Sequence, residues 1–295
     1  MTTLFEGFET HDVDVDGVAV HAVTGGEGPP VLLLHGYPQT HAMWHRVAPA
    51  LARRHTVVAA DLRGYGDSGR PADEPGHAAY AKRAMAADLV GLMRRLGFDR
   101  FAVAGHDRGA RVTHRMCLDH PERVTRAAVL DILPTRHMFA TTDRALAQGY
   151  YHWFFLAQPD GLPERLIGGD PEYYLRTKLG RWSAEGASFD PRAVEEYVRC
   201  FRDPASVHAT CEDYRAAGTV DLEHDEADAA AGRRVDCPLL VLWGTRGFVA
   251  SRYDVAAVWR DYAADVRGAG LDCGHFLAEE APEETARALA DFLAE

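Results

Sequence analysis

Hydrophobic and polar positions along the chain fall into three regimes. Near the N-terminus, DVDV and VAVHAV alternate apolar with polar residues on either side of Asp16-Gly17. That pattern predicts two short antiparallel strands joined by a two-residue turn. Beyond residue 30 the alternation gives way to solid apolar runs, Val31 to Leu34, Thr56 to Ala60 and Phe101 to Ala104, which are expected to be strands buried on both faces. Helical patterns lie between them, around 44–53 and 80–96. A fourth run, Ala127 to Ile132, follows a helix expected at about 108–120. A fifth, Pro238 to Trp243, comes only after a break of roughly a hundred residues.

The third regime fills that break. Residues from about 137 to 232 contain no strand-like run but many aromatics at helical spacing, among them Tyr150, Trp153, Phe154, Tyr174, Trp182 and Tyr214. A helical cap over the sheet is expected. The sheet resumes with PLLVLWG, followed by a helix near 252–263, a short strand near 265–271 and a last amphipathic helix, APEETARALADFLAE. Strands alternating with helices imply an α/β fold with a mostly parallel sheet flanked by helices. The expected division is a core of 1–136 and 233–295 and a helical cap of 137–232, inserted after the strand ending near Asp131.

Composition narrows the function classes. With 32 basic and 44 acidic residues the 295-residue chain has a formal charge of −12, which argues against a nucleic-acid partner. No window approaches the ~18 uninterrupted apolar residues of a spanning helix, and the acidic start MTTLFEGFETHDVDVDG has no signal-peptide core. A cytoplasmic protein with no membrane partner is expected. Five cysteines, scattered and without CxxC spacing, suggest neither a disulfide framework nor a zinc site and read as reduced thiols.

The chemistry concentrates in Phe101-Ala-Val-Ala-Gly105-His106-Asp107-Arg108-Gly109-Ala110-Arg111. An apolar strand, a Gly-x-x-x-Gly turn and a helix start form a nucleophile elbow, which holds its central side chain above the sheet edge. The central residue is Asp107. A carboxylate can displace a leaving group from an sp³ carbon and form an alkyl ester. The competing reading of Asp107 is a helix N-cap. Cleaving an aspartyl ester takes a general base, and Leu271-Asp272-Cys273-Gly274-His275-Phe276 supplies His275 after the last strand.

The base needs an orienting carboxylate, and Thr245-Arg246-Gly247-Phe248 after PLLVLWG contains none. Asp131, inside the apolar run Val129-Leu130-Asp131-Ile132, is the alternative, because an unpaired carboxylate there would be costly. A capped or salt-bridged strand-end acid remains the competing reading. In His35-Gly36-Tyr37-Pro38 the useful oxyanion donors are the backbone amides of Tyr37 and of Arg108, since Pro38 has no N–H. His35 reads as a structural hydrogen-bonding residue. His41 and His45 lack an acidic third ligand of recognisable spacing, so no metal site is assigned. Arg108 and Arg111 share one face of the first turn after Asp107, against the helix dipole, and a bound small carboxylate would offset that cost with bidentate hydrogen bonds. Arg115 reads as a salt-bridging residue.

Together HGYPQTHAMWH, DLRGYGDSG, GHDRGAR, LDILPT, YYHWFFLAQP and LDCGHF resemble motifs of the fluoroacetate (haloacetate) dehalogenases of the α/β-hydrolase superfamily, over nearly the whole chain. The resemblance implies the α/β-hydrolase fold and assigns Asp107 as nucleophile, His275 as base, Asp131 as its acid, and Arg108 with Arg111 as the carboxylate clamp. It further implies a halide pocket of His152, Trp153 and Tyr214, a substrate-tunnel role for Trp182, and a homodimer. Fluoroacetate would become glycolate and fluoride through an aspartyl ester, with no metal or organic cofactor. Two rivals stand beside this expectation. An epoxide hydrolase would use the same Asp, His and acid with cap tyrosines, although neutral epoxides have no use for paired cations beside the nucleophile. A noncatalytic small-carboxylate receptor would use the arginines alone.

Overall fold

The computed structural model describes residues 4–295. The described residues form an eight-stranded sheet in the order β1-β2-β4-β3-β5-β6-β7-β8. Its strands are β1 Glu9–Val15, β2 Val18–Gly25, β3 Pro30–Leu34, β4 Thr56–Ala60, β5 Phe101–His106, β6 Val124–Leu130, β7 Leu239–Gly244 and β8 Val266–Leu271. The hairpin around Asp16-Gly17 pairs β1 with β2 antiparallel, and β2 joins β4 antiparallel; every later pairing is parallel. The solid apolar runs form the centre. All of β5 is buried, and β3 and β4 are buried after their first residue.

Helices α1 Ala48–Leu51, α2 Lys82–Arg95, α3 Arg108–Asp119, α12 Phe248–Arg252, α13 Val255–Arg260, α14 Leu277–Glu280 and α15 Pro282–Leu293 connect or follow the strands. Several expected helices are shorter or broken, each for a local reason. The 44–53 pattern becomes a 3-10 turn, His41–Trp44, and the single turn α1, which carries Pro49 near its start and so lacks an N–H to extend back into the preceding turn. The 80–96 pattern starts only at Lys82, after Gly76 and His77 adopt positive φ. The 252–263 pattern divides where Asp254 caps α13 by accepting a hydrogen bond from the Ala257 amide at 3.0 Å. The fourth strand is displaced towards the N-terminus, spanning Val124–Leu130 and leaving Asp131 and Ile132 beyond its end.

Between β6 and β7 run α4 Thr135–Ala140, α5 Arg144–Gly149, α6 Tyr151–Leu156, α7 Leu162–Gly168, α8 Pro171–Trp182, α9 Pro191–Phe201, α10 Pro204–Ala217 and α11 Val220–Ala230. Polar links fasten this layer to the sheet side. Tyr65 donates its hydroxyl to Asp213 at 2.7 Å, Lys82 also pairs with Asp213, and Arg115 reaches Asp225 on α11 at 2.6 Å. Among the described residues no helix is long and apolar enough to cross a membrane.

Candidate active site

The sharp turn between β5 and α3 gives Asp107 φ 46° and ψ −111°, a conformation that side-chain-bearing residues rarely adopt. The flanking glycines make this turn sterically possible. A Cβ on Gly105 would lie 2.4 Å from the Gly109 carbonyl oxygen, and one on Gly109 would lie 2.4 Å from that of His35. The Asp107 side chain does not cap α3. Its Oδ1 instead accepts the Tyr37 amide at 2.9 Å, while Oδ2 lies 4.0 Å from His275 Nε2. The Arg108 amide, first in α3, has no acceptor within the helix.

His275 follows β8, and its Nδ1 meets Asp131 Oδ2 at 2.7 Å. A carboxylate only accepts, so neutral His275 carries its proton on Nδ1 and presents a lone pair at Nε2. Asp131 Oδ1 accepts the Gly244 amide at 3.0 Å, so both carboxylate oxygens are engaged. Burial alone would lower the His275 pKa, but the hydrogen bond and charge of Asp131, with Asp107 behind, raise it above its ordinary value. Asp107 shows the converse: burial raises its carboxyl, and the charges of His275 and the nearby arginines outweigh that and hold it low. His106, unassigned by sequence, packs at a tilt against His275 with ring centres 4.5 Å apart and donates from Nε2 to the His275 carbonyl at 2.8 Å. Burial takes it down to about 3, so it serves as a neutral positioning group.

The two arginines differ more than their spacing suggests. Arg108 gives Nε to Asp213 Oδ2 at 2.9 Å and Nη2 to Asp213 Oδ1 at 2.5 Å. Only its Nη1 is buried without a partner. Arg111 gives Nη1 to the Leu133 carbonyl at 2.9 Å and the Thr135 hydroxyl at 3.0 Å, leaving Nε unpartnered. Arg108 therefore keeps a single buried nitrogen, Nη1, for a ligand, whereas Arg111 has no protein hydrogen bond on its Nε or Nη2. Burial would lower the Arg108 pKa but Asp213 raises it, whereas Arg111, with no carboxylate in hydrogen-bond contact, is lowered by burial and by Arg108.

Above them stands a cluster of cap aromatics. Arg108 Cζ lies 4.2 Å from the Tyr214 ring centre and Arg111 Cζ 4.5 Å from that of Trp153. The rings of His152 and Tyr214 are 5.6 Å apart and those of Trp153 and Tyr214 6.4 Å apart. His152 Nδ1, Trp153 Nε1 and Tyr214 Oη are buried with no protein partner. A cavity of about 350 Å³ opens beside them, lined by Asp107, Tyr150, His152, Lys178, Trp182 and His275 among others. Trp182 packs on His152, 4.6 Å between ring centres, and on His275 at 5.5 Å. Burial pushes His152 well below its ordinary value, with Lys178 adding to the effect, so its imidazole is neutral.

Asp107, Asp131, His152, Trp182 and His275 thus reach the cavity, with Tyr37, Arg108, Arg111, Trp153 and Tyr214 held against them. Sequence reasoning missed Asp213, His106 and Lys178. Lys178 is buried, donates to the Tyr151 hydroxyl at 2.6 Å, faces the Tyr151 ring at 3.8 Å, and is brought down to about 7 by burial and by Arg181. Only its place on α8, one turn before Trp182, could have flagged it. His35 is buried, with the Leu62 amide donating to its Nε2 at 3.1 Å. His41 meets a carboxylate that spacing could not supply, Asp61, at 3.0 Å.

Residues 29–282 match the family model described as the alpha/beta hydrolase fold. The chain is 51% identical to the fluoroacetate dehalogenase of Burkholderia sp, over 99% of this chain and 96% of that protein. It is 33% identical to the soluble epoxide hydrolase of Corynebacterium sp. (strain C12), over 92% and 93%. Among solved structures, one from Nostoc sp PCC 7120, described as an alpha/beta hydrolase, superimposes with a TM-score of 0.96 at 58% identity, covering 98% of both chains. A Pseudomonas aeruginosa variant described as an epoxide hydrolase, solved with bound MFA, gives a TM-score of 0.93 at 47% identity, covering 99% of this chain and 98% of its own.

Proposed function

From the premise that the chain belongs to the α/β-hydrolase fold family and is 51% identical to a fluoroacetate dehalogenase, we propose that it hydrolyses the carbon–halogen bond of fluoroacetate and other small 2-haloacids. Glycolate and halide are the products. The observation that carries this reading is the set of buried donors without protein partners: Arg108 Nη1 and Arg111 Nε beside the nucleophile, and Trp153 Nε1 and Tyr214 Oη with the His152 imidazole in the cap. Each such group left unpaired costs about 1–3 kcal/mol. A haloacetate satisfies both sets at once, its carboxylate with the guanidinium nitrogens and its halogen with the cap donors.

Asp107 Oδ1 is held by the Tyr37 amide, so Oδ2 is the attacking oxygen. It forms a bond to the α-carbon from the side opposite the halogen, and the carbon–halogen pair leaves as halide towards His152, Trp153 and Tyr214. Because burial is outweighed by neighbouring positive charge, Asp107 is ionised throughout the neutral range. In the second half His275 Nε2 takes a proton from water, which adds to Cγ of the ester. Oδ1 then receives the developing charge, with the Tyr37 amide that already bonds it and the Arg108 amide as the second donor. Asp131 stabilises the imidazolium, which gives its proton to the departing glycolate oxygen as the C–O bond breaks; the hydroxyl proton left on Asp107 passes to solvent with the halide, restoring the carboxylate. Trp182 forms part of the tunnel wall. No cofactor enters this scheme.

Epoxide hydrolysis is the second reading, favoured by Tyr150 on the cavity wall. It leaves the free nitrogens of Arg108 and Arg111 without an anion, which weighs against it; a noncatalytic receptor leaves Asp107 in a strained turn without a use. The same proposal takes the protein as a cytoplasmic homodimer, supported by its free thiols and by exposed Leu162, Leu166 and Tyr173 on the cap. The deciding measurement is halide release from fluoroacetate and chloroacetate by ion chromatography, with Asp107→Ala as control. Release lost in the variant is expected. Release retained there, or no halide from either substrate, would overturn the reading.

A further inference from the structure

Two cysteines with no role in this chemistry meet at the edge of the sheet opposite Asp107, where α3 ends and β7 begins. Cys117 lies near the end of α3, and Cys237 just before β7; they are 120 positions apart in sequence, yet their Sγ atoms are 4.0 Å apart. Between them run β6 and the whole helical excursion from α4 to α11. The seam is held in register by neighbours as well. Arg233 bonds the Leu118 carbonyl and pairs with Asp228 at 2.6 Å. Closing from 4.0 Å to a disulfide bond of about 2.05 Å therefore requires side-chain rotation rather than separation of the two segments.

We propose that Cys117 and Cys237 are a reversible modification site, oxidised by a peroxide to a disulfide that closes a covalent ring around the cap. Cys237 is half-buried and Cys117 is buried, so the oxidant meets Cys237 first. The S–H···S contact with Cys117 draws Cys237 below its ordinary thiol value against its own burial, while burial pushes Cys200, Cys211 and Cys273 up. The Cys237 thiolate takes oxygen from hydrogen peroxide, breaking the O–O bond, releasing hydroxide and forming a sulfenic acid. The Cys117 sulfur then attacks that sulfur; the S–S bond forms, the S–O bond breaks, and the Cys117 proton leaves with the oxygen as water. Two electrons pass from the sulfurs to peroxide, and thiol exchange with glutathione returns them.

The test treats the reduced full-length protein with hydrogen peroxide and follows intact mass, peptide maps and melting. Expected are a loss of two hydrogens in mass, a cross-linked peptide pair containing Cys117 and Cys237, and a Tm raised by about 5–10 °C that dithiothreitol reverses. Cys237→Ser, at the half-buried position, should lose the mass change and the Tm rise together. Cys117→Ala should stop the reaction at a dimedone-reactive sulfenic acid on Cys237. If Cys200, Cys211 or Cys273 is oxidised before Cys237, or if the mass change survives in Cys237→Ser, the assignment is wrong.

Discussion

The sheet side and the cap side of the site are wired in opposite ways. On the sheet side the reacting groups hold one another: Asp107 takes the Tyr37 amide, Asp131 takes both His275 and the Gly244 amide, and His106 secures the His275 carbonyl. On the cap side His152 Nδ1, Trp153 Nε1 and Tyr214 Oη find no hydrogen-bond partner in the chain, and their rings are fixed by packing on one another and on the Arg108 and Arg111 guanidiniums. In the proposed reaction the difference separates two tasks. Bond making and ester cleavage need groups aligned before substrate arrives, and backbone amides at strand ends do that. Stabilising a departing anion needs donors that have no internal acceptor to satisfy them, and rigid aromatic packing keeps them apart.

If that division holds, sheet-side substitutions strike every halogen alike and cap-side substitutions discriminate among them. The largest effect is expected for Asp107→Ala, a loss of roughly 10⁴-fold or more in halide release from both fluoroacetate and chloroacetate. His275→Asn should release one halide per site and then stall, with the alkyl ester detectable as added mass on the Asp107 peptide. Asp131→Asn should slow turnover by roughly 10²–10⁴-fold while sparing that first release. A smaller and selective effect is expected for Trp153→Phe, which keeps the ring over Arg111 but removes one donor. Fluoride release should fall by roughly 10²-fold and chloride release by much less, because fluoride is the stronger hydrogen-bond acceptor. Equal losses for both halogens would erase the distinction between the two sides.

Acidification separates the two steps of the sheet side. The His275 pKa is raised in the folded enzyme, so the base is lost as pH falls through a value above its ordinary 6.5. Asp107, held low, stays charged over that range. Below neutrality the first halide should therefore persist as a burst while steady turnover declines, and esterified Asp107, no longer negative, should let the base titrate closer to its ordinary value in the second step. Rapid-quench halide measurements between pH 5 and 8, roughly bracketing that titration, would show whether burst and turnover separate. The smallest effect concerns Glu279, which accepts the Tyr197 hydroxyl at 2.9 Å and also a Gln39 amide, and which burial pushes up to about 8. A carboxyl raised in the folded state contributes stability fully below its ordinary 4.5 and loses it as pH rises through about 8. Glu279→Gln escapes that loss, so its Tm should overtake that of the parent by about a few degrees above pH 8 while activity is unchanged.

What the sequence revealed follows the same division. Asp107, Asp131 and His275 are legible because each sits at a strand end within a local pattern, and an acid inside an apolar run advertises its need for a partner. The parallel core was legible for the same reason, as uninterrupted apolar runs between helices. Asp213 was not, because it is one of two adjacent acids on a cap helix until the fold sets it against Arg108. Nor were His152, Trp153 and Tyr214 separable by periodicity from Tyr150 or Tyr151, since what distinguishes them is the absence of an acceptor in three dimensions. Helix ends failed where one residue decides the outcome, as Pro49 and Asp254 do.

The ion pair between Arg108 and Asp213 also constrains traffic. Both side chains are fully buried, one at the root of the catalytic helix and the other in the cap, and Lys82 and Tyr65 hold the same carboxylate. Swinging the cap aside would break buried, charge-assisted hydrogen bonds that tie α10 to α3 and α2. The roof is therefore fixed masonry rather than a hinged door. In the proposed reaction acids and products would share the cavity mouth between Lys178–Ser183 on one side and Arg246–Phe248 on the other, and its walls would sort arriving molecules before any bond is tested.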